Sequence, residues 1–345
     1  MKLAPVDRAL REHPDVRHVI VHTGQHYDAA MSDAFFQDLG IPQPHHHLGV
    51  GSGSHARQTA EIMQRFEPAL LAERPDLVLV YGDVNSTVAA ALVAAKLGVP
   101  VGHVEAGLRS GDWTMPEEIN RVVTDRLSSV LFTPSRDADE NLEAEGIPSS
   151  RIHFVGNVMI DSVRHVLPHA MRLDAPARHG VRPRQYAVVT LHRPCNVDDC
   201  ATLTELIAAL EALSARGPVL FPLHPRTRQR MQDFGLGGAG GNGLRLIEPL
   251  GYVDMLGLMA GAALVITDSG GVQEETTYLG IPCLTARPNT ERPITLRQGT
   301  NRLVPSCGGA LVAAGLEAWG RERPPAGIEL WDGDAARRIA DVVCA

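Results

Sequence analysis

Residues 264–275 of the 345-residue chain read Leu-Val-Ile-Thr-Asp-Ser-Gly-Gly-Val-Gln-Glu-Glu. The apolar run predicts a buried strand, and Ser269-Gly270-Gly271 then opens a helix. The glycines let backbone N–H groups approach a ligand closely, and a helix N-terminus favours an anion. Ser269 either caps the helix or bonds a phosphate oxygen. Glu275, about one turn further on, is placed to accept sugar hydroxyls. A plain capped helix does not require two glycines, so phosphate binding is the preferred reading.

A set of acids stands after other apolar runs: Gly82-Asp83-Val-Asn, Glu105-Ala-Gly-Leu-Arg109, and Met115-Pro-Glu117-Glu118-Ile-Asn-Arg121. Each alone fits a helix cap or a dipole partner. Asp83 and Glu105, however, follow strands of one sheet and should converge at one edge. Grouped carboxylates push each other's pKa values apart, which suits acid–base chemistry. Glu118 is expected to pair with a neighbouring base. Thr190-Leu-His192-Arg193 is a His-Arg pair after a strand, suited to a diphosphate. Phe221-Pro-Leu-His224 repeats that pattern more weakly, and Glu291-Arg292 adds a later cation.

Other motifs carry less. His45-His46-His47 invites a metal reading, but adjacent strand side chains point to opposite faces, so no metal is expected. Gln25-His26 and Tyr27-Asp28 either line a cleft or form a turn. Neither Gly-x-Gly-x-x-Gly after a strand nor Gly-x-x-x-x-Gly-Lys-Ser/Thr occurs, which argues against a nicotinamide or Walker site. Gly49-Val-Gly-Ser-Gly53 reads as a flexible connection.

The positioning elements come in two series. Strands are predicted over 16–22, 77–81, 99–104, 130–133 and 152–155, with helices over 27–39, 55–72, 84–97, 117–127 and 136–145. The second series has strands over 186–190, 219–222, 244–247, 264–267 and 283–285, with helices over 199–215, 255–259, 271–279 and 309–319. Alternation of this kind builds parallel, doubly wound sheets, whose ligands bind beyond the carboxyl ends of the strands. The fold class is therefore α/β, with two Rossmann-like domains. Residues 1–167 form the first, 168–330 the second, and 331–345 a closing helix. A net charge of −8 with no long basic run argues against nucleic acid. Five cysteines without ligand spacing fit reduced thiols, and no apolar run is long enough to span a membrane. A cytoplasmic enzyme is expected.

In combination, the chain resembles the non-hydrolysing UDP-N-acetylglucosamine 2-epimerases. The resemblance rests on Lys2-Leu-Ala-Pro, Thr23-Gly-Gln-His-Tyr, Tyr81-Gly-Asp83, His103-Val-Glu-Ala-Gly-Leu-Arg109, Pro116-Glu-Glu-Ile-Asn-Arg121, Thr190-Leu-His-Arg193, Thr267-Asp-Ser-Gly-Gly-Val-Gln-Glu-Glu275 and Thr290-Glu-Arg-Pro293, in family order. It implies a GT-B fold with a central cleft and a last helix that crosses back to the first domain. It implies C2 epimerisation of a UDP-amino-sugar through elimination and re-addition of UDP, without cofactor or metal, in a homodimer serving cell-surface polysaccharide synthesis. Asp83, Glu105 and Glu117 match the family's catalytic acids, and His192 its catalytic histidine. Lys2, Ser269, Gly270, Gly271, Glu275 and Arg292 match substrate contacts, and Leu250 and Met255 fall where the uracil is held. The family's opening strand and Gly-Thr-Arg-Pro-Glu turn have no counterpart before Lys2, so the first domain is expected without its first strand. Asp28 replaces a Gln or Glu of members activated by a second substrate molecule, which leaves allostery open. Also open are a related UDP-2-acetamido sugar, a hydrolysing 2-epimerase, a GT-B transferase and a non-catalytic binder.

Overall fold

Strand ends that carry chemistry must be held by parallel neighbours, and the chain builds two such frames. The computed structural model describes residues 1–25, 36, 38–238, 240–241, 243–321 and 327–345. It divides into Met1–Ser162 with Glu329–Ala345, and Val163–Ile328. Among the described residues no helix is long and apolar enough to cross a membrane.

In the first unit, β1 (Val21–His22) pairs with β2 (His46–His47), and β3 (Val78–Tyr81), β4 (Val101–Val104), β5 (Val130–Thr133) and β6 (Ile152–Phe154) form a four-stranded sheet in that order. All pairings are parallel. Small side chains set one layer: Ala89, Ala91 and Ala94 on the helix Asn85–Lys96 are fully buried. That lets the helix lie close to the sheet and to the helix His55–Glu73. The helices Leu3–Arg11 and Ala335–Val343 pack together through Val6, Leu10, Ala335, Ile339 and Ala340, against Val104 and Phe132. Asp161 fixes the start of the terminal helix by accepting the N–H groups of Ala335 (3.3 Å) and Ala336 (2.8 Å).

The second unit is a six-stranded parallel sheet, ordered β12-β11-β10-β7-β8-β9. Its strands are β7 (Ala187–Thr190), β8 (Val219–Pro222), β9 (Leu244–Ile247), β10 (Leu264–Thr267), β11 (Cys283–Ala286) and β12 (Asn301–Val304). One apolar cluster holds it, with Val189, Leu206, Leu210, Phe221 and Ile266 all fully buried. The register sets Thr190 of β7 beside Thr267 of β10. Residues 192 and 268 therefore leave the sheet side by side.

Several expectations change. Only Val21–His22 of residues 16–22 is strand. A cavity of about 650 Å³ lies between that segment and β3, lined by Val16, His18, Ile20, Leu79, Phe66 and Val343 among others. A strand needs a paired neighbour as well as an apolar pattern, and 16–20 lack one among the described residues. The glycine-rich 49–53 segment is a fixed connection. Its Val50 and Gly51 N–H groups bond the carbonyls of Thr23 and Gly24, Gln58 Nε2 bonds the Gly51 carbonyl at 2.8 Å, and Ser54 caps the next helix. The chain around the boundary expected at 167/168 is helical, Val158–Arg172, with Pro168 inside it. The division between units falls within that helix, earlier than the expected 167/168. Of the helix expected at 27–39, most lies outside the described residues, as do His26, Tyr27 and Asp28.

Candidate functional site

In the first unit, β3 and β4 deliver the acids. Strand β3 ends in Gly82, whose φ of 65° turns the chain so that Asp83 follows. Asp83 accepts an ion-paired hydrogen bond from Arg121, and its backbone carbonyl accepts Asn120 Nδ2 at 2.9 Å. On the adjacent strand, Glu105 is only 5% exposed and has φ 75°. A buried, non-glycine residue in the left-handed region is strained, and such strain concentrates at functional positions. Its Oε2 accepts an ion-paired hydrogen bond from Lys2 Nζ. An added Cβ at Gly82 would come within 2.7 Å of Lys2 Nζ and 3.2 Å of Glu105 Oε2. Glycine is required there because the two acid-bearing turns press together.

Glu117 is half-buried in the first turn of the helix Pro116–Leu127. Its neighbour Glu118 is consumed structurally. It accepts the N–H groups of Ser110 and Gly111, both at 2.9 Å, and the Arg121 guanidinium at 2.6 Å. Burial raises its pKa, but those N–H donors and Arg121 outweigh it, and the carboxyl titrates below its ordinary range. Arg121 thus spans two carboxylates, Glu118 and Asp83. The three histidines at 45–47 go separate ways. His45 Nδ1 accepts from the Ile20 N–H, His46 meets Glu73 at 2.7 Å, and His47 packs on His22.

In the second unit, the buried Asp268 organises the site. Its Oδ2 accepts the N–H groups of His192 (2.9 Å) and Arg193 (2.8 Å) and Asn196 Nδ2 (2.9 Å), and its Oδ1 faces His192 Nδ1 at 3.1 Å. Burial pushes the Asp268 carboxyl up, while His192, Asn196 and the Arg193 N–H pull it down further, so it stays ionised. His192 is held by ring and backbone together, about a third exposed, with His224 at a ring-centroid distance of 5.3 Å. Burial, and then the charge of His192, lowers the His224 pKa.

One step along, the helix Gly270–Leu279 begins. Ser269 stands at its N-cap without a side-chain capping bond, so of the two sequence readings the cap is not made. Its hydroxyl is left to other partners, and the first-turn N–H groups lie beside it. Gly270 is crowded: an added Cβ would lie 2.4 Å from Arg292 Nη1 and 2.7 Å from Glu291 Oε1. Arg292 is itself buried, ion-paired with Glu274 at 2.8 Å from Nε and hydrogen-bonded to Glu291 through Nη1. Glu291 also accepts Arg287 at 2.8 Å. Burial raises the Glu291 pKa, but Arg292 and Arg287 overcome it and hold the carboxyl well below its usual range. Glu275 accepts from Tyr252 Oη at 3.0 Å. Burial pushes Glu275 up to about 8, against the opposing hydrogen bond from Tyr252. Leu250 precedes, and Met255 lies in, the first turn of the helix Tyr252–Gly261, both half-buried.

The structure thus gathers Asp83, Glu105 and Lys2 at neighbouring strand ends of one unit. It gathers His192, Ser269, Gly270 and Gly271 at neighbouring strand ends of the other. Asp268, Tyr252 and Glu274 were not singled out from the sequence. Asp268 alone had a signal, a carboxylate directly after an apolar strand.

Two parallel sheets flanked by helices, each with its polar motifs beyond the carboxyl ends of strands, define an α/β protein of two Rossmann-like units, of the GT-B class. The family model described as UDP-N-acetylglucosamine 2-epimerase matches residues 8–344, and the chain belongs to that family. It is 46% identical over 310 residues to a UDP-N-acetylglucosamine 2-epimerase homolog of Methanococcus maripaludis, covering 89% of this chain and 85% of that one. It is 41% identical over 345 residues to the UDP-2,3-diacetamido-2,3-dideoxy-D-glucuronate 2-epimerase of Pseudomonas aeruginosa, covering 99% and 95%. The crystal structure of Methanocaldococcus jannaschii UDP-GlcNAc 2-epimerase, in complex with UDP-GlcNAc and UDP, matches with a TM-score of 0.91. There the identity is 40%, covering 99% of this chain and 96% of that one.

Proposed function

We propose that the protein epimerises UDP-N-acetylglucosamine at C2 to UDP-N-acetylmannosamine by elimination and re-addition of UDP. A base takes the C2 proton, the C1–O bond breaks, and UDP leaves with the bonding pair, giving a 2-acetamidoglucal. A proton is then delivered to C2 from the opposite face, and a UDP oxygen re-forms the bond at C1. Carboxylates in more than one position are needed, and Asp83, Glu105 and Glu117 supply them. The single observation that carries the reading is the close approach of Glu105, Lys2 and the Asp83 turn at adjacent strand ends. In the second unit, the Ser269 hydroxyl and N–H groups at Gly270 and Gly271 receive the diphosphate, the Ser269 N–H being held by Thr267 Oγ1 at 3.0 Å, and His192 stabilises the departing charge. Glu275 serves the ribose, Leu250 and Met255 the uracil, and Arg292 holds the cradle. Among the described residues, no His, Cys, Asp and Glu grouping offers a metal site. None of these steps calls for a metal or redox group. A homodimer in the cytoplasm completes the proposal, and sedimentation analysis tests the assembly.

Incubation with UDP-N-acetylglucosamine in deuterium oxide tests the chemistry: NMR should show deuterium at C2 and a small pool of free UDP. Turnover with full retention of the C2 hydrogen refutes it. The full-length likeness to the Pseudomonas aeruginosa enzyme favours a second reading, a UDP-2,3-diacetamido uronic acid as substrate. Parallel assays with both nucleotide sugars separate the two.

A further inference from the structure

Behind the acid-bearing turns of the first unit lies a buried ion cluster that the chemistry above does not use. His103 stands on β4 with no exposure to solvent. Its Nε2 is 2.8 Å from the Gly82 carbonyl oxygen, and its Nδ1 is 2.6 Å from Asp125 Oδ1. A carbonyl oxygen only accepts, so Nε2 carries hydrogen. Asp125 already accepts the Gly107 N–H at 3.1 Å and Arg109 Nη1 at 2.7 Å on its other oxygen. Burial raises the Asp125 pKa, but the neighbouring charges of His103 and Arg109 outweigh it, so the carboxyl stays ionised. At 2.6 Å the Nδ1···Oδ1 contact is a hydrogen bond as well.

The cluster grips the acid-bearing segments from the rear. The Gly82 turn admits no side chain, because one would strike Lys2 and Glu105. The ring of His103 therefore anchors that turn through its carbonyl. Gly107, two residues past Glu105, is equally crowded, since an added Cβ would lie 2.5 Å from the Ala138 carbonyl oxygen. Its N–H is held by Asp125. Asp125 belongs to the helix Pro116–Leu127, whose first turn carries Glu117.

We propose that His103, with Asp125, is a positioning residue for the epimerisation: a ring that grips the Gly82 carbonyl through Nε2 and Asp125 through Nδ1, and so fixes Asp83, Glu105 and Glu117 relative to one another. Being fully buried, it acts through Gly82 and Asp125. The proposal rests on the role given above to the three acids, and the test separates the two. A displacement of reacting groups by about 1 Å costs on the order of a hundredfold in rate. His103→Gln and Asp125→Asn, made in the full chain, should therefore lower kcat by about 10- to 100-fold. KM for the nucleotide sugar and the Kd of UDP should stay within about threefold, because the diphosphate cradle belongs to the other unit.

In wild-type protein labelled with 15N-histidine, the NMR signals of His103 should show hydrogen on Nε2, the nitrogen that faces the Gly82 carbonyl. His103→Gln identifies those signals by their loss. An unchanged kcat in folded His103→Gln, while Asp83→Asn abolishes turnover, overturns the proposal. So does a parallel loss of UDP affinity, which marks a merely structural part. A bare Nε2 at His103 overturns it even where the variants fail to fold. Turnover that survives Asp83→Asn and Glu105→Gln is a separate result, and it removes the reading of the acids themselves.

Discussion

Replacing Gly270 by alanine adds one methyl group, yet the structure makes it a severe test of the diphosphate cradle. The glycine is not in the left-handed region, so alanine suits the backbone and the consequence is local. The new carbon would sit 2.4 Å from Arg292 Nη1 and 2.7 Å from Glu291 Oε1, well inside any real contact. Arg292 cannot simply swing away, because Glu274 and Glu291 hold it in a buried site. Either the helix start shifts or the guanidinium is pushed out of its pairing. Overpacking of this kind costs about 1–3 kcal/mol of stability. A shifted helix start also spoils the approach of its N–H groups to an anion. Loss of one charge-assisted hydrogen bond is worth about 2 kcal/mol, which weakens UDP binding by about thirtyfold. Gly309→Ala is the matched control: it lies in the first turn of the helix Gly308–Ala318, where an added Cβ meets nothing within 4 Å. That variant should gain up to about 1 kcal/mol of stability and bind UDP normally. Titration calorimetry with UDP, on variants whose circular dichroism shows them folded, decides the matter. Folded Gly270→Ala with wild-type affinity refutes the cradle.

Further expectations concern single side chains. His192→Ala should lower kcat by about 10- to 100-fold, one to two factors of 1.4 kcal/mol; wild-type steady-state kinetics would return it to a structural role. Arg121→Met leaves Glu118 buried beside a lost charge and should destabilise the fold by about 3 kcal/mol or more, read by chemical denaturation. Glu275, raised by burial to about 8 from 4.5, is protonated in the folded state where the unfolded chain is ionised. Its contribution is favourable below the unfolded value and is lost as pH climbs from about 4.5 to about 8. Glu275→Gln should therefore melt higher than wild type near pH 8, with the gap closing towards pH 4.5. A gap independent of pH would contradict that protonation state.

The sequence revealed a strand when its apolar run was also its pairing segment. β8 and β10 lie buried within a continuous sheet and β9 pairs at its edge, and the expected limits of all three match the observed ones. β2 and β12 carried no such pattern, with histidines in one and alternating Asn, Arg, Leu and Val in the other. Convergence of Asp83 and Glu105 was legible because strand ends of one parallel sheet share an edge. Their partners were not. Lys2 reaches Glu105 across 103 positions, and the reach of Tyr252 to Glu275 spans 23. Nor does spacing tell Glu274 from Glu275: adjacent positions on a helix face different ways, one towards Arg292 and the other towards Tyr252. The place of Asp268 directly after an apolar strand marks it as a candidate, but not that it turns inward to bind the backbone N–H groups of His192 and Arg193, 76 and 75 positions away.

The separation of β1 and β2 from the sheet begun by β3 bears on how the first unit breathes. No hydrogen-bond ladder among the described residues joins the pair to the other four strands, and the cavity lies between them. Side chains still join the two pieces, since Val21 and Leu48 pack with Phe66 and Val80 and Ser86 donates to Gln25, but the two-stranded pair shares fewer hydrogen bonds and should be the weaker foldon. Amide hydrogens of Val21, His22, His46 and His47 should exchange through a low-energy local opening. Those of Val104 and Phe132, locked beneath the paired terminal helices, should wait for global unfolding.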